Sequence, residues 1–239
     1  MKINLAGYLF YNILSISLFF LNFDSTAAQV KPSHMTFSYV DHPVITHEVI
    51  PIIERAYSLM GIKLTFEMHP SSRNLKAVES GIVDGDVAYS DLLLKGYDTL
   101  VKIEPPLVTS IFVLLCLPDV RCNQEVLFDD NNVIVSTDTT HKGLLSFYPE
   151  SLSRSFYTIN NLSIIPKLLA QERFQYGIYV FGNSQVLSSD FQHLKVIELF
   201  KTQTHHTLHQ KHAFMKDEIS AALQLSMDKA KSSLDDFTQ

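Results

Sequence analysis

The chain has 239 residues, 46% of them apolar and 18% charged, with 25 acidic against 19 basic side chains and a net charge of −6. That composition excludes disorder and fibrous repeats, leaves room for one large domain or two small ones, and lacks the positive field that draws nucleic acid in. Two cysteines, Cys116 and Cys122, are too few for a disulfide-dense scaffold or a four-thiolate zinc site, so a hydrophobic core must hold the chain.

Residues 1–28 read as a secretory signal peptide. Lys2 supplies a positive start, 9–21 are an apolar run interrupted by Asn12, Ser15 and Ser17, and Thr26-Ala27-Ala28 offers small residues for cleavage before Gln29. The run is shorter than the ~20 residues of a membrane span; an uncleaved anchor is the alternative. No cysteine stands at the junction to suggest lipid attachment. Export lets Cys116 and Cys122 pair in an oxidising compartment, with two separate thiols as the other reading. The chain-entropy model gives so short a loop on the order of 2 kcal/mol.

Further along, 35–39 alternate as a strand that Asp41-His42-Pro43 breaks. Val49, Ile52, Ile53, Ala56, Tyr57 and Met60 recur at helical spacing, with Pro51 in the first turn and Gly61 as the stop. Residues 62–68 alternate as the next strand, and a serine of Pro70-Ser71-Ser72 is expected to cap a helix that Gly81 ends. Residues 83–89 form a strand containing Asp84-Gly85-Asp86, and the apolar run 107–117 reads as a buried strand. The turn-rich stretch 118–132 is expected to hold a domain crossover. Beyond it, strands are expected at 133–135, 156–159, 176–181 and 196–200. Polar caps at 137–140 precede a short helix over 142–148, and Ser163 can cap one with Pro166 in its first turn. A last helix, capped by Asp217, carries the stripe Ile219, Leu223, Met227, Ala230 and Leu234. Strands alternating with helices predict a parallel-sheet α/β architecture.

In order and spacing, several of these segments resemble the bacterial extracellular solute-binding proteins of family 3. They are Phe37-Ser38-Tyr39 with Asp41-His42-Pro43, the helix ending Met60-Gly61-Ile62, His69-Pro70-Ser71-Ser72-Arg73-Asn74-Leu75, and Glu79-Ser80-Gly81-Ile82-Val83-Asp84-Gly85-Asp86. His206-Thr207-Leu208-His209-Gln210-Lys211-His212 is similar to the return segment of the family's short members. The resemblance covers nearly all the chain after residue 28, with 118–203 supported mainly by element order. It implies an α/β, two-lobed type II periplasmic-binding fold with mainly parallel sheets, helices on both faces and a central cleft. One lobe would comprise 29–115 and 202–239, the other 116–201. It also implies an exported, periplasmic, monomeric protein that is not an enzyme and needs no cofactor. Such a protein closes on a small polar solute, an amino acid or similar, and presents the closed form to an ABC permease or a membrane sensor.

Candidate ligand residues follow from strand ends and from the resemblance. Tyr39 ends the first strand, where open α/β folds place ligands, and its ring can stack on one; an ordinary half-buried tyrosine is the alternative. Asp41 suits an amine or a solvated turn. Arg73 stands near a helix start, where its fork and backbone N–H groups can jointly hold a carboxylate. Asp84-Gly85 reads as structural. Many amino-acid-binding relatives clamp a carboxylate with an arginine shortly after this strand, but Val87-Ala88-Tyr89-Ser90-Asp91 has none. Tyr89, Ser90 and Asp91 therefore favour a polyol, amine or other polar solute. In the second lobe, Thr137-Asp138-Thr139-Thr140 stands in place of a glycine-threonine turn, so the hydroxyls of Thr139 and Thr140 can reach a ligand or cap the helix. Gln175 replaces an aspartate that relatives often carry, and Asn183 is placed at the cleft.

His205, His206, His209 and His212 have i, i+3 and i+4 spacings suited to zinc or copper on a helix, the basis of an alternative reading as a secreted metal-dependent hydrolase. They lack the glutamate that the metalloprotease helix uses as general base. On a strand, His205 and His209 would share one face and His206 and His212 the other, which disperses a metal site. A hinge histidine titrating near pH 6.5 is a further option. No Gly-x-Ser-x-Gly elbow is present.

Overall fold

A computed structural model describes residues 29–94, 97–148, 156–182 and 191–235, and its regular elements lie within the compact unit Pro32–Gln239. The expected signal peptide, 1–28, lies outside the described residues. Eight strands form one sheet: β1 (His34–Tyr39), β2 (Lys63–Met68), β3 (Gly85–Ser90), β4 (Leu100–Cys116), β5 (Ile134–Thr137), β6 (Phe156–Ile159), β7 (Tyr176–Phe181) and β8 (Lys195–His209). Their spatial order is β2-β1-β3-β8-β4-β7-β5-β6. Pairing is parallel from β2 through β1 to β3 and from β7 through β5 to β6. Antiparallel pairing is confined to the ladders of the two long strands, β4 and β8.

Glycine ends the first two helices by the same device. α1 (Ile50–Leu59) continues a π-helical turn (Ile45–Val49), carries Pro51 in its first turn, and stops where Gly61 adopts φ 73°. The amides of Gly61 and Ile62 then bond back to the Ser58 and Tyr57 carbonyls, each at 3.0 Å. α2 (Ser71–Glu79) ends likewise at Gly81, φ 72°, with Gly81 and Ile82 bonded to Val78 and Ala77. Pro70, not a serine, occupies the N-cap position of α2. α3 (Asp91–Leu94) is a single turn. α4 (Asp138–Phe147) is capped by Thr137, whose Oγ1 accepts the Thr140 amide at 3.1 Å. At α5 (Ile165–Ala170), with Pro166 in its first turn, the cap comes one turn earlier: Asn161 accepts the Ser163 amide at 2.8 Å. α6 (Lys216–Asp235) grows out of a 3-10 helix (Gln210–Met215), so Asp217 lies in its first turn and not at its cap.

β4 passes from one hydrophobic core to another. Ile103 and Leu107 belong to a core with Met35, Phe37, Ile53, Tyr57, Leu208 and Leu223. Phe112, Leu114 and Cys116 belong to a second with Ile134, Leu144 and Ile178. The intervening Val113 and Leu115 face the opposite side of the sheet, where Ile165, Leu169 and Tyr179 cover them. Burial of both faces explains why this run is continuously apolar instead of alternating. Helices accordingly cover both faces, with α4 on one and α5 on the other. Within the stretch 118–132, Val126 and Leu127 belong to the second core. β4 begins seven residues before the apolar run suggests. Pro105 and Pro106 lack ladder donors, and the strand passes them as an irregularity between Ile103 and Val108.

The Asp-Gly pair at the start of β3 ties both ends of the chain together. Asp84 accepts the Thr36 amide at 2.8 Å, His212 Nε2–H at 2.7 Å and Lys211 Nζ at 2.8 Å. Burial alone would raise its pKa, but those bonds outweigh it and hold the carboxyl well below the usual range. A Cβ on Gly85 would lie 2.2 Å from the Thr207 carbonyl oxygen and 2.8 Å from the Phe37 ring, so glycine is what lets β8 return beside β3. Cys116 and Cys122 are bonded to each other, joining the end of β4 to the loop before a 3-10 helix (Gln124–Phe128).

Candidate ligand site

A cavity of about 300 Å³ lies where the carboxyl ends of strands from both parallel sets converge. The first set contributes the loop after β1 (Val40, Asp41, His42), Met68 at the end of β2 with His69 and Pro70 after it, and Ala88, Tyr89 and Ser90 at the end of β3. The second contributes Thr137 at the end of β5 with Thr139 and Thr140 after it, 160–162 after β6, and Val180, Phe181 and Gly182 at the end of β7. Between them, Val108, Ser110 and Phe112 of β4 and Thr204 of β8 also line it.

Direct bonds join the two sides of this cleft. Asp41 Oδ2 accepts from Asn161 Nδ2 at 3.1 Å and from Ser163 Oγ at 3.4 Å. His42 Nε2–H donates to the Val180 carbonyl at 2.9 Å, and its Nδ1 accepts the Val44 amide at 3.2 Å. A carbonyl can only accept and an amide can only donate, so the ring is the neutral Nε2–H tautomer. Burial lowers its pKa, partly offset by the Val180 bond and by Asp41 and Glu48. Tyr89 and Thr139 line the cavity from opposite sides. Burial, reinforced by the Asp86 carboxylate, raises the Tyr89 pKa, so it remains a neutral phenol.

Of the residues singled out in sequence, Asp41, Tyr89, Ser90, Thr139 and Thr140 line the cavity. Thr140 Oγ1 is committed to Thr137 at 2.8 Å, and Ser90 Oγ reaches Thr202 at 3.3 Å. Tyr39 lies outside the lining and packs half-buried against the first core. Arg73 lies outside it too. Asn74 and Leu75 take the inward face of α2, which turns Arg73 to solvent. Asp91 is drawn to the crossing strands, where it lies 3.4 Å from Lys102 Nζ and 2.7 Å from His205 Nδ1. Asn183 is outside the described residues. Lining residues that sequence reasoning passed over include His42, Val44, Asn160 and Asn161. His42 and the asparagine pair follow expected strands directly, which was a usable signal; Val44 carried none.

The four histidines of the return segment diverge. His205 lies between Asp91 and Glu104 (3.1 Å); His206 accepts from the Tyr57 hydroxyl at 2.8 Å and donates to the Val87 carbonyl at 3.2 Å. His209 accepts the Lys211 amide, and His212 bonds Asp84. Among the described residues no three His, Cys, Asp or Glu side chains are gathered as a metal site.

No family model matches the chain, and no curated protein matches its sequence. Solved structures do. It is similar to the arginine-bound form of truncated ArgBP from T. maritima, with TM-score 0.66 and 9% identity over 80% of this chain and 95% of that one. It is also similar to the GluR0 ligand-binding core from Nostoc punctiforme in complex with L-glutamate, with TM-score 0.63 and 12% identity over 82% and 94%. A histidine kinase sensor domain with similarity to periplasmic binding proteins matches at TM-score 0.64 and 14% identity over 85% and 95%. The chain therefore has the two-lobed type II periplasmic-binding fold, as the family 3 resemblance implies.

Proposed function

We propose that this protein is an exported, periplasmic solute-binding protein that captures a small molecule between its lobes and presents the closed form to a membrane partner. The partner is an ABC permease or a sensory receptor, and the protein acts as a monomer by binding, not by catalysis. One observation carries the reading: a cavity at converging strand ends whose two sides are bridged by Asp41–Asn161 and His42–Val180. Ligand contacts made to both sides add to those bridges and favour closure, which a partner can read. The arginine and L-glutamate bound to two structural neighbours support a small-molecule occupant. We place the crossing between lobes at 107–112 on the outward strand and 200–204 on the return. Leu107 and Leu208 belong to the first core, and Phe112 and Phe200 to the second.

Small-angle scattering, paired with a melting-temperature screen of amino acids, polyamines, sugars, nucleosides and small alcohols, tests this directly. A ligand is expected to raise the melting temperature by mass action and to reduce the radius of gyration. Unchanged melting and superimposable scattering across the whole set would end the reading.

A further inference from the structure

We propose that the cleft selects an uncharged small molecule with a mainly apolar body and one or two hydrogen-bonding groups, and rejects carboxylates. This rests on the solute-capture reading above and narrows it to a ligand class. Val44, Ile45, Ala88, Val108 and Phe112 give the cavity an apolar inner wall. Burying an ionised carboxylate there is costly without a paired cation. Among the described lining residues there is no Lys or Arg. Of the two lining imidazoles, buried His42 has both ring nitrogens committed in its neutral tautomer, and half-buried His69 already has its Nε2 beside the Glu67 carboxylate at 3.3 Å. The amino end of α4 is a poor anion site as well. Its Thr140 amide is held by Thr137 Oγ1, and its first turn carries the Asp138 carboxylate.

A cationic ligand fares no better. Asp41 is the one carboxylate among the described lining residues; it is exposed, and its Oδ2 already accepts from Asn161 and Ser163. What the walls offer instead are neutral groups: Tyr89, Ser90, Thr139 and Asn160. A wall of that make-up matches a ligand that is apolar over most of its surface and hydroxylic or amidic at one end. At interior packing density the cavity admits roughly 220 Å³ of ligand, about ten to fifteen non-hydrogen atoms.

Three probes of one shape separate the possibilities: 2-phenylethanol, phenylacetate and 2-phenylethylamine, titrated calorimetrically into full-length protein refolded from denaturant, alongside L-arginine and L-glutamate. Binding of 2-phenylethanol at least about tenfold tighter than either charged analogue is expected, a difference of about 1.4 kcal/mol. Leu93→Trp, which fills the cavity from α3, should weaken that binding by about tenfold or more while leaving the circular dichroism unchanged. Phenylacetate or 2-phenylethylamine binding as tightly as the alcohol overturns the inference, as does unaltered binding to a folded Leu93→Trp. If an amino acid binds and compacts the protein while the alcohol does not, the ligand class is wrong and solute capture stands. If no probe binds and scattering never changes, both fail.

Discussion

At the scale of single residues, two buried groups on adjoining strands pull the pH dependence of stability in opposite directions. Asp86 is fully buried and accepts from Ser38 Oγ (3.0 Å), the Ala88 amide (2.9 Å) and Asn74 Nδ2. Burial dominates those bonds and raises its pKa to about 7. The folded state thus holds a proton that the unfolded chain releases near pH 4, and stability falls as pH rises from about 4 to 7. His206, buried with Tyr57 and the Val87 carbonyl, has its pKa lowered by burial to about 4. The unfolded chain takes a proton there that the folded one refuses, so this contribution grows as pH rises from about 4 to 6.5. In wild type the two slopes oppose each other. Asp86→Asn removes one of them. Urea titrations at pH 4.5 and 6.5 should show the variant gaining on the order of 2 kcal/mol relative to wild type at the higher pH. An equal pH response in the two proteins would show that Asp86 ionises normally.

Elements show what the sequence made legible and what it hid. Gly61 and Gly81 mark helix ends because only a left-handed residue allows the closing bonds, a local requirement readable without coordinates. The strands 156–159 and 176–181 were legible from alternation or continuous apolarity. The full lengths of β4 and β8 were not. Two prolines interrupt the pattern of one, and Thr and His residues fill the buried end of the other, where Thr204, His205, His206 and Thr207 are all buried polar groups. The cleft was legible as a place, because strand ends are predictable, but not as a surface. Arg73 had suitable chemistry and the wrong helical phase, whereas Val44 and Val108 offered no chemistry to notice. Gly85 yields an element-scale prediction. Since a Cβ there meets the backbone of β8 at 2.2 Å, Gly85→Ala should destabilise the protein by more than about 3 kcal/mol in denaturant titration, or prevent its folding. A loss below about 1 kcal/mol would mean that β8 does not lie against β3 as described.

At the scale of the whole molecule, the approach of one side of the cleft to the other depends on a small residue. A Cβ on Gly182 would fall 2.8 and 2.9 Å from the two γ-carbons of Val44 across the cleft. Gly182→Ala should therefore act as a wedge, enlarging the radius of gyration and weakening whatever ligand binds by roughly tenfold, because part of the binding energy must then force closure. Adding Val44→Ala should restore both. A double variant that stays open would place the obstruction elsewhere.

The last helix also governs the order in which the molecule can be completed. Ser226 Oγ of α6 donates to the Ile52 carbonyl of α1 at 2.8 Å, Arg55 donates to the Ser226 carbonyl at 3.2 Å, and Ile219 and Leu223 fill the core around Met35 and Phe37. These contacts span most of the polypeptide, so their loop-closure entropy must be met in full before they form. The N-terminal third leaves the ribosome first yet has no finished interior until the final forty or so residues arrive. The portion synthesised earliest is the portion that matures last, and it stays vulnerable to proteases and aggregation for as long as translation takes.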